Sequence, residues 1–352
     1  MGKRARGRAT VFVALVLLVA GLRATASAQA GPDLRIDVDA LTRGVSYDLL
    51  YFEPQACELQ AADLCVGAPG ARKVLRFDTF AVNDGDSDLV LGVPDPDELL
   101  PNGDPKWVWS ECHGHFHFNT FARYELRRHG ESTVLVPGQK RSFCIEDTKA
   151  DTATTPRRYC CAVGITCEMT GHQGLQPGWG DLYASNLPCQ WIDITDVEDP
   201  PPLDVDVCVF LNYAGVLPDA DPANDVGCGA VTIDGPPDGA RAPRVKVRAP
   251  HPQVRARVGR PLKIAWRRRT PGLFKFQEIW FSPDDGQTWS LLTGGPALPK
   301  RRHSYKWVVP EGAATETARV KVIVWTKNPP DDASAGSFQR AIAISKTFRI
   351  AN

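Results

Sequence analysis

The stretch Trp107-Val-Trp-Ser-Glu-Cys-His-Gly-His-Phe-His-Phe118 contains three of the seven histidines of the chain. In an extended strand successive side chains point to opposite faces, so His113, His115 and His117 would share one face. Residues two apart in a strand are separated by about 6.6 Å, so a twist or a bulge is needed before all three imidazoles reach one ion. The flanking aromatic residues indicate a buried strand, in which clustered unliganded imidazoles would be costly. The sequence therefore predicts a metal site.

The histidines alone do not identify the metal. Neutral imidazole binds zinc, copper, iron or nickel, and three histidines with an open fourth position also describe catalytic zinc. A solvated histidine cluster without a metal is the alternative interpretation.

Residues 1–30 have the pattern of a secretory signal peptide. A basic segment at residues 3–8 precedes an apolar run over residues 11–21, and Ala28-Gln-Ala30 is a small-x-small cleavage pattern. The apolar run is short for a membrane span, although an uncleaved anchor is the alternative. We therefore expect an exported protein without a membrane span after cleavage. It would be secreted outside the cell, or held in the periplasm or at the cell surface.

All ten cysteines lie between residues 57 and 228. An even number of cysteines in an oxidising compartment predicts disulfides. The sequence contains no Cys-x-x-Cys pair, which argues against a thiolate metal centre. Cys57 and Cys65 are spaced to close a local loop, but spacing does not decide the other pairs.

Charge divides the chain at the end of the cysteine-containing region. Residues 31–239 contain 34 acidic and 14 basic residues, a net charge of −20, whereas residues 240–352 contain 7 acidic and 22 basic residues, a net charge of +15. The neutral total therefore conceals an acidic and a basic domain. Gly and Pro are frequent between them. We expect an acidic domain over residues 31–234, a linker over 235–243 and a basic domain over 244–352.

Both domains are predicted to be all-β. In the acidic domain, alternating segments such as 74–82 and 205–211 are separated by long Pro/Gly/Asp loops that contain the cysteines. We expect a loop-rich, disulfide-stapled β-sandwich. The basic domain has alternating segments at 262–266, 277–281, 304–309, 318–325 and 347–350, which favours an immunoglobulin-like or fibronectin-like sandwich.

Ser282-Pro-Asp-Asp-Gly-Gln-Thr-Trp289 resembles the Asp-box, a β-hairpin turn found in sialidases and many secreted sandwich modules. Asp284 and Asp285 are expected to bond turn amides, Gly286 to take a positive φ, and Trp289 to pack beneath the turn. No sialidase acid/base set accompanies it, so we interpret the turn as structural.

Several segments of the acidic domain together resemble the catalytic domain of the lysyl oxidase family, in order and spacing, over about residues 32–230. They are Trp107-x-Trp-x-x-Cys-His-x-His-x-His117, Gly138-Gln-Lys-x-Ser-Phe-Cys-Ile-Glu-Asp-Thr148, Arg157-Arg-Tyr-x-Cys161, Gly174-Leu-Gln-Pro-Gly-x-x-Asp-x-Tyr183 and Cys189-Gln-Trp-Ile-Asp-Ile-Thr-Asp-Val197.

This resemblance implies a secreted copper amine oxidase. His113, His115 and His117 match the copper-binding motif, and Lys140 and Tyr183 match the two residues that form the organic cofactor lysine tyrosylquinone. Such an enzyme would convert primary amines to aldehydes with O₂ and release ammonia and hydrogen peroxide, the cofactor supplying the chemistry and the protein the positioning. Asp181 is the candidate general base, and an ordinary role in a turn is the alternative.

The cysteines depart from the family's pattern. Ala150 and Trp179 stand where the animal enzymes have cysteines, and three cysteines are additional: Cys160, Cys167 and Cys208. Four others stand at family positions: Cys112, Cys144, Cys161 and Cys189. From the resemblance we expect the pair Cys112–Cys161. We further hypothesise the pairs Cys167–Cys189 and Cys208–Cys228.

The segment Asp219-Ala-Asp-Pro-Ala-Asn-Asp225 is dense in oxygen ligands of the kind that calcium prefers. The resemblance extends here, and it implies a calcium site formed by Asp33, the Leu34 carbonyl, Asp219, Asp221, Asn224 and Asp225. A solvated acidic turn is the alternative.

The acidic domain is expected to attract cationic substrates, either lysine-containing polypeptides or small primary amines such as polyamines. The basic domain is expected to fold back on the acidic one or to bind an anionic polymer or surface. Export and the lack of a nucleic-acid motif argue against nucleic acid as a partner. Two other functions stay open: a metal-binding adhesion or binding module with an inactive oxidase site, and a copper oxidase that lacks the quinone.

Overall fold

The computed structural model describes residues 30–161, 164–197, 202–233, 243–270, 273–327 and 338–352. The expected signal peptide and the expected linker lie outside the described residues, apart from Ala30 and Pro243. We call the described residues up to 233 the acidic part and those from 243 onward the basic part. Within these ranges, no helix is long and apolar enough to cross a membrane.

The acidic part contains one α-helix, α1 (Val38–Thr42), a 3₁₀ turn at Cys57–Leu59, and short strands. The strands are β1 (Leu34–Ile36), β2 (Ser46–Phe52), β3 (Gly70–Arg76), β4 (Thr79–Asn83), β5 (Leu89–Gly92), β6 (Trp107–Ser110), β7 (His115–Phe118), β8 (Ala122–Arg128), β9 (Val134–Pro137), β10 (Lys149–Ala150), β11 (Tyr159–Cys160), β12 (Met169–Thr170), β13 (Gln173–Leu175), β14 (Trp179–Tyr183), β15 (Trp191–Asp193), β16 (Leu203–Leu211) and β17 (Val226–Ile233).

Two four-stranded sheets enclose the main core of the acidic part, with strand orders β17-β16-β8-β9 and β1-β4-β14-β10. The odd-numbered residues of β16, from Leu203 to Leu211, are all buried, as expected of a strand with one face on a core. Side chains from both sheets meet there, among them Leu34, Tyr124 and Val207. The all-β prediction is confirmed. Strand β14, which ends at Tyr183, is an inner strand of its sheet.

Five disulfides join the ten cysteines: Cys57–Cys112, Cys65–Cys189, Cys144–Cys161, Cys160–Cys167 and Cys208–Cys228. The prediction of Cys208–Cys228 is confirmed, because these residues lie opposite each other on β16 and β17. The other three predicted pairs, Cys57–Cys65, Cys112–Cys161 and Cys167–Cys189, are wrong.

The wrong pairs have structural reasons. Cys65 and Cys189 are buried together in a small core beside Trp191, which removes both from the predicted pairs. Cys112 lies in the turn after β6 and binds Cys57 across a separation of 55 residues, which a local-loop argument does not find. The remaining pairs meet at the end of β11, where the tandem cysteines Cys160 and Cys161 bind Cys167 and Cys144 respectively.

The basic part contains a 3₁₀ turn at Gly295–Ala297 and further strands. They are β18 (Arg244–Ala249), β19 (Arg255–Arg257), β20 (Pro261–Arg269), β21 (Leu273–Ser282), β22 (Ser290–Gly294), β23 (Ser304–Val308), β24 (Thr315–Lys327), β25 (Phe338–Ile344) and β26 (Phe348–Ala351). A three-stranded sheet, β18-β20-β23, packs on a larger sheet, β19-β26-β24-β21-β22, in which β25 also pairs with β24. This arrangement confirms the predicted sandwich.

The Asp-box-like turn between β21 and β22 is structural, with one change from the prediction. The Asp284 carboxylate accepts hydrogen bonds from the Thr288 N–H (2.8 Å) and hydroxyl (2.6 Å). Gly286 has a φ of +96° and lies against Trp289. Asp285, however, does not bond turn amides, because its Oδ1 accepts hydrogen bonds from Arg319 of β24 and from Thr347, which directly precedes β26.

The larger sheet of the basic part separates the three-stranded sheet from the acidic part. Along β21 and β24 one set of side chains, such as Ile279 and Val322, faces the three-stranded sheet across the sandwich core. The alternate set, including Ile323 and Trp325, packs on the acidic part at Leu49 and on β3. The three-stranded sheet therefore turns its other face away from the acidic part.

A buried carboxylate lies in this contact between the two parts. Glu278 is 1% exposed and accepts hydrogen bonds from the Ala71 N–H of β3 and from Trp280 Nε1 (3.0 Å). Burial raises the pKa of Glu278. A buried polar contact of this kind fixes how the two parts are oriented, since neither partner can shift without losing its hydrogen bonds.

Candidate metal centre

A β-hairpin and its turn bring the three histidines together. Strands β6 and β7 pair antiparallel, with Ser110 opposite His115. His113 is not on the strand, which corrects the expectation that all three histidines share one extended segment. It lies in the turn, where Gly114 has a φ of +69° and donates its N–H to the Ser110 carbonyl (2.8 Å). In a straight strand His113 would be separated from His115 by about 6.6 Å along the chain, and the turn instead brings its ring towards the other two.

The three histidine rings lie close enough together for one nitrogen of each to bind the same ion. Ring centres are 5.8 Å apart for His113 and His115, and 5.1 Å apart for each of the other two pairs. One nitrogen from each ring lies within 4.8 Å of the others, and the Nε2 atoms of His115 and His117 are 3.2 Å apart. Nitrogens bound to one metal at about 2.0–2.1 Å stand about 3–4 Å apart, so this grouping fits a metal ion.

The protonation state also fits a metal. Burial, then the charge of Lys140, lowers the pKa of His113 to about 4 and lowers the pKa values of His115 and His117. The imidazoles are therefore neutral at neutral pH, which is the form that binds metals. His113 Nε2 is buried and has no hydrogen-bond partner, and such an orphan nitrogen is explained if a metal ion takes its lone pair.

Sequence analysis missed the residues that hold the histidine turn. Asp63 is 4% exposed, accepts a hydrogen bond from the Ser110 hydroxyl and contacts the Cys112 N–H at 3.3 Å. Ser110 Oγ in turn accepts the N–H of His113 (3.1 Å). No motif marks Asp63, and its only signal was its position between Cys57 and Cys65, two cysteines that staple the loop on both sides.

A hydroxyl group supports the third histidine in a similar way. Ser142 Oγ lies 3.4 Å from His117 Nδ1 and donates to the Ala62 carbonyl (3.1 Å). The loop around Asp63 therefore contacts both ends of the histidine cluster, one through Ser110 and the other through Ser142.

Lys140 and Tyr183 lie together beside the histidines. Lys140 is 2% exposed, and its Nζ lies 5.3 Å from the Tyr183 ring centre and 4.7 Å from that of Phe143. The Phe143 ring packs edge-on against Tyr183, with ring centres 5.0 Å apart. The Tyr183 hydroxyl accepts the Cys144 N–H (2.8 Å) and donates to the Cys144 carbonyl (3.0 Å). The phenol is therefore fixed in position.

Burial shifts both groups away from their charged forms. It lowers the pKa of Lys140 to about 8, against the attraction of Asp63 and Asp181, and raises the pKa of Tyr183 well above its ordinary value. At neutral pH a usable fraction of Lys140 is a neutral amine, whereas the tyrosine is a phenol.

Asp181 is buried two residues before Tyr183 on β14. Its Oδ2 has no hydrogen-bond partner. Burial, then the charge of Glu146, raises its pKa well above the ordinary value, which favours a neutral carboxyl group. A buried carboxyl oxygen without a partner, beside the lysine–tyrosine pair, is unusual for a purely structural residue.

The candidate calcium residues are brought together, with Asp221 more exposed than the others. Asn224 Nδ2 donates to Asp33 Oδ1 (3.1 Å), and the Leu34 N–H donates to Asp219 Oδ1 (3.2 Å). Further oxygens are buried without hydrogen-bond partners: Asp219 Oδ2, Asn224 Oδ1 and Asp225 Oδ1. Asp221 is exposed, and its side chain accepts the N–H of Ala223 within the same turn (3.1 Å).

Electrostatics favour a cation at this cluster. Burial, followed by Asp219 and Asp33, raises the pKa of Asp225 to about 9. Burial and the neighbouring carboxylates Asp219 and Asp221 raise that of Asp33. A calcium ion would relieve this repulsion and pair the orphan oxygens. Among the described residues, however, three carboxylates do not come within 4.8 Å of one another here as the histidine nitrogens do.

Comparison with known proteins gives matches to the acidic region. The family profile described as lysyl oxidase matches residues 54–229, which is half of the chain. Lysyl oxidase homolog 2 of Gallus gallus is 36% identical over 158 residues, which cover 45% of this chain and 18% of that protein. Protein-lysine 6-oxidase of Rattus norvegicus is 36% identical over 157 residues, covering 44% of this chain and 33% of that protein. The chain thus spans a third or less of these relatives.

Among solved structures, the fibronectin(III)-like modules of Clostridium thermocellum CbhA share 20% identity and a TM-score of 0.18. This match covers 31% of this chain and 99% of that one.

Proposed function

This chain belongs to the lysyl oxidase family, and from that premise we propose that it is a secreted copper-dependent amine oxidase. The reaction oxidises a primary amine to an aldehyde with O₂ and releases ammonia and hydrogen peroxide. The observation that carries the proposal is the placement of Lys140 Nζ 5.3 Å from the Tyr183 ring, beside three neutral histidines. A protein that only bound a metal would have no need for this buried pair.

In the proposed centre His113, His115 and His117 hold the copper ion. Copper, when bound, would supply with O₂ the oxidation of a tyrosine ring, and the mature lysine tyrosylquinone would supply an electrophilic carbonyl for the amine substrate. The residues of the chain position these groups. Cys144 fixes the phenol oxygen of Tyr183 through two hydrogen bonds, and burial keeps part of Lys140 neutral and able to bond to the ring.

We propose Asp181 as the general base that accepts the substrate's α-proton. Its carboxyl lies on the same strand as Tyr183 and two residues before it, so both side chains point to the same face. Because its pKa is raised, it is a stronger base than an ordinary carboxylate once ionised. A purely structural role for Asp181 is the competing hypothesis.

The remaining proposals concern the rest of the molecule. The catalytic domain would span residues 31–234 and follow a cleaved signal peptide at 1–30, and a linker at 235–243 would join it to the domain at 244–352. Calcium would bind at Asp33, Leu34, Asp219, Asn224 and Asp225, with Asp221 at its edge, and would tie β1 to the loop before β17.

Substrates would be lysine-containing polypeptides or small primary amines, drawn by the acidic surface.

The deciding experiment is peptide mapping by mass spectrometry of the copper-loaded mature protein after treatment with phenylhydrazine, which reacts with quinone carbonyls. The proposal requires a cross-linked peptide that joins Lys140 to Tyr183 and carries the hydrazone. Separate, unmodified Lys140 and Tyr183 peptides in protein with bound copper would refute the quinone mechanism and favour a metal-binding module.

A further inference from the structure

The outward face of the three-stranded sheet in the basic part is uniformly cationic. Alternate residues of β18, β20 and β23 are exposed on it, and seven of them are cations: Arg244, Lys246, Arg248, Lys263, Arg267, Arg269 and Lys306. We call these seven residues the cationic face. None of the three strands contains an Asp or Glu. The intervening side chains, such as Ile264 and Trp266, pack into the sandwich core.

The register sets like charges directly opposite one another. Arg244 pairs with Arg269, and Lys246 with Arg267, across β18 and β20. Lys263 pairs with Lys306 across β20 and β23. Directly opposed like charges on a sheet are destabilising, so a sequence selected for stability alone would not repeat this arrangement three times in one small sheet.

No carboxylate in the described part of the chain neutralises this face. The described ion pairs within the basic part join Arg319 to Asp285 and Arg349 to Glu316, and neither involves the cationic face. The acidic part packs against the opposite side of the sandwich, on Ile323 of the larger sheet. Among the described residues nothing offsets this repulsion, which favours an anionic ligand on the face.

The geometry of the face indicates what kind of anion fits it. Cations are two residues, or about 6.7 Å, apart along β18 and at Arg267 and Arg269 of β20, and the opposed pairs are about 4.8 Å apart between strands. This spacing suits a linear polymer with closely repeated anionic groups. Four of the seven cations are arginines, whose planar fork binds carboxylate or sulfate groups through two parallel hydrogen bonds.

Other polyanions fit less well. No aromatic side chain is exposed on the face, so it offers no platform on which bases of a single-stranded nucleic acid could stack. Val308 is the one exposed large apolar residue on these three strands as described, so the face has little to insert into a bilayer.

We propose that the cationic face binds a linear acidic polysaccharide that carries sulfate or carboxylate groups. This inference rests on the proposed export of the protein but not on its oxidase chemistry. Binding of the polysaccharide would hold the protein at an extracellular matrix or cell surface. The metal centre would then lie in the acidic part, on the far side of the larger sheet from the polysaccharide.

The test uses the full mature holoprotein and dextran sulfate, with neutral dextran as the control ligand. Lys246→Gln/Arg267→Gln removes one opposed pair. The matched control Arg255→Gln/Arg257→Gln removes the same charge from exposed positions of β19 in the other sheet. We expect the Kd for dextran sulfate at about 100 mM salt to rise roughly tenfold in the first variant and less than about threefold in the control. In Lys246→Gln/Arg267→Gln, the slope of log Kd against log salt concentration should be lower than in the wild type by about one to two.

Two further readouts separate a binding role from a structural one. The melting temperature of Lys246→Gln/Arg267→Gln should be unchanged or higher, because a repulsive pair is removed. Its oxidation of a small amine should equal that of the wild type. If the wild type and both variants all lack oxidase activity, the proposed function is refuted but this inference is not. Equal loss of binding in the control variant would overturn the inference in favour of general net charge.

Two other results would overturn it in favour of a different partner. One is equal or tighter binding to vesicles that contain anionic lipid, lost in the same variant. The other is salt-sensitive self-association in sedimentation velocity that Lys246→Gln/Arg267→Gln abolishes, which would identify the acidic part of a second copy as the partner.

Discussion

Lys140 Nζ lies 5.3 Å from the ring centre of Tyr183 in an interior where Phe143 packs against both. Lys140 comes from the loop after β9, and Tyr183 ends β14, so two separate segments of the fold meet here. A buried ammonium group is costly, and Lys140 is only 2% exposed. The proximity of Lys140 to Tyr183 agrees with the cross-link proposed between them.

Replacement of either residue should abolish amine oxidation while leaving the metal in place. Tyr183→Phe removes the oxygen needed for a quinone, and Lys140→Arg removes the amine that bonds to the ring. We expect amine turnover to fall by more than about a thousandfold in each, with no phenylhydrazine adduct. Copper content, measured by atomic absorption, should match the wild type. Lys149→Arg, which changes an exposed lysine nine residues on, is the control. Substantial turnover by Tyr183→Phe would contradict the assignment.

Formation of the cross-link should depend on pH through Lys140. Burial lowers its pKa to about 8, and only the neutral amine can bond to the ring. When copper is added to metal-free protein, the rate at which quinone absorbance appears should rise with pH up to about 8 and level off above it. Below that value it should fall about tenfold per pH unit. A rate that still rose steeply above pH 9 would indicate a lysine with an ordinary pKa.

The lowered pKa of Lys140 also predicts how the stability of the metal-free protein depends on pH. The folded protein binds the Lys140 proton less tightly than the unfolded chain does, so this group destabilises the metal-free fold at neutral pH. That penalty is relieved as pH rises from about 8 to the ordinary lysine value. Lys140→Met should therefore raise the melting temperature of metal-free protein at pH 7 but have little effect near pH 10.

Much of this site could be predicted from sequence, because its residues lie in short motifs. The two-residue spacing of His115 and His117 follows from strand periodicity. His113 could not be placed in the same way, since its position depends on a turn that Gly114 allows and the Ser110 hydroxyl holds. The meeting of Lys140 with Tyr183 was expected from the family resemblance alone, because no local pattern relates a loop and a strand so distant in sequence.

The disulfides show most clearly which contacts could not be predicted from the sequence. Cys208 and Cys228 pair because two long strands set their register, which alternation in sequence can indicate. Cys65 and Cys189 pair because both are buried beside Trp191 in a small core that exists only once the chain has folded. The role of Asp63 was invisible for the same reason: a lone acidic residue in a loop carries no sign of the hydroxyl it will meet.

Asp63 and Ser110 should control how well copper is held. Asp63→Asn weakens the hydrogen bond that fixes Ser110, and Ser110→Ala removes the acceptor for the His113 N–H. Because neither residue is a ligand, we expect copper affinity to fall about 10- to 100-fold rather than to vanish. The electron paramagnetic resonance spectrum of the bound copper should also change. Asp97→Asn, in an exposed loop, should alter neither measurement. Unchanged copper affinity in both variants would limit these residues to a folding role.

Calcium should stabilise the protein through the loop before β17. The buried, partnerless oxygens of Asp219 and Asp225 favour a cation there. We expect saturating calcium to raise the melting temperature by several degrees, since a ligand that binds only the folded state stabilises it. Asp225→Asn should remove this response and, without calcium, should be no less stable than wild type because it removes one repelling carboxylate. Asp221→Asn should keep most of the response, because Asp221 is exposed. No shift with calcium in the wild type would refute the site.

The contact between the acidic and basic parts should make them unfold together. Trp325 is 1% exposed, and it packs on Leu49 and Ala71 across this contact. Trp325→Ala would leave a large cavity and should cost about 3–5 kcal/mol. Calorimetry should show one transition in the wild type and two in the variant, because the basic part loses its support while the disulfide-linked acidic part keeps its own core. Ile342→Ala, on the neighbouring β25 and 47% exposed, should leave the single transition intact. Two transitions in the wild type would mean that the parts are independent, and amine oxidation would then not depend on Trp325.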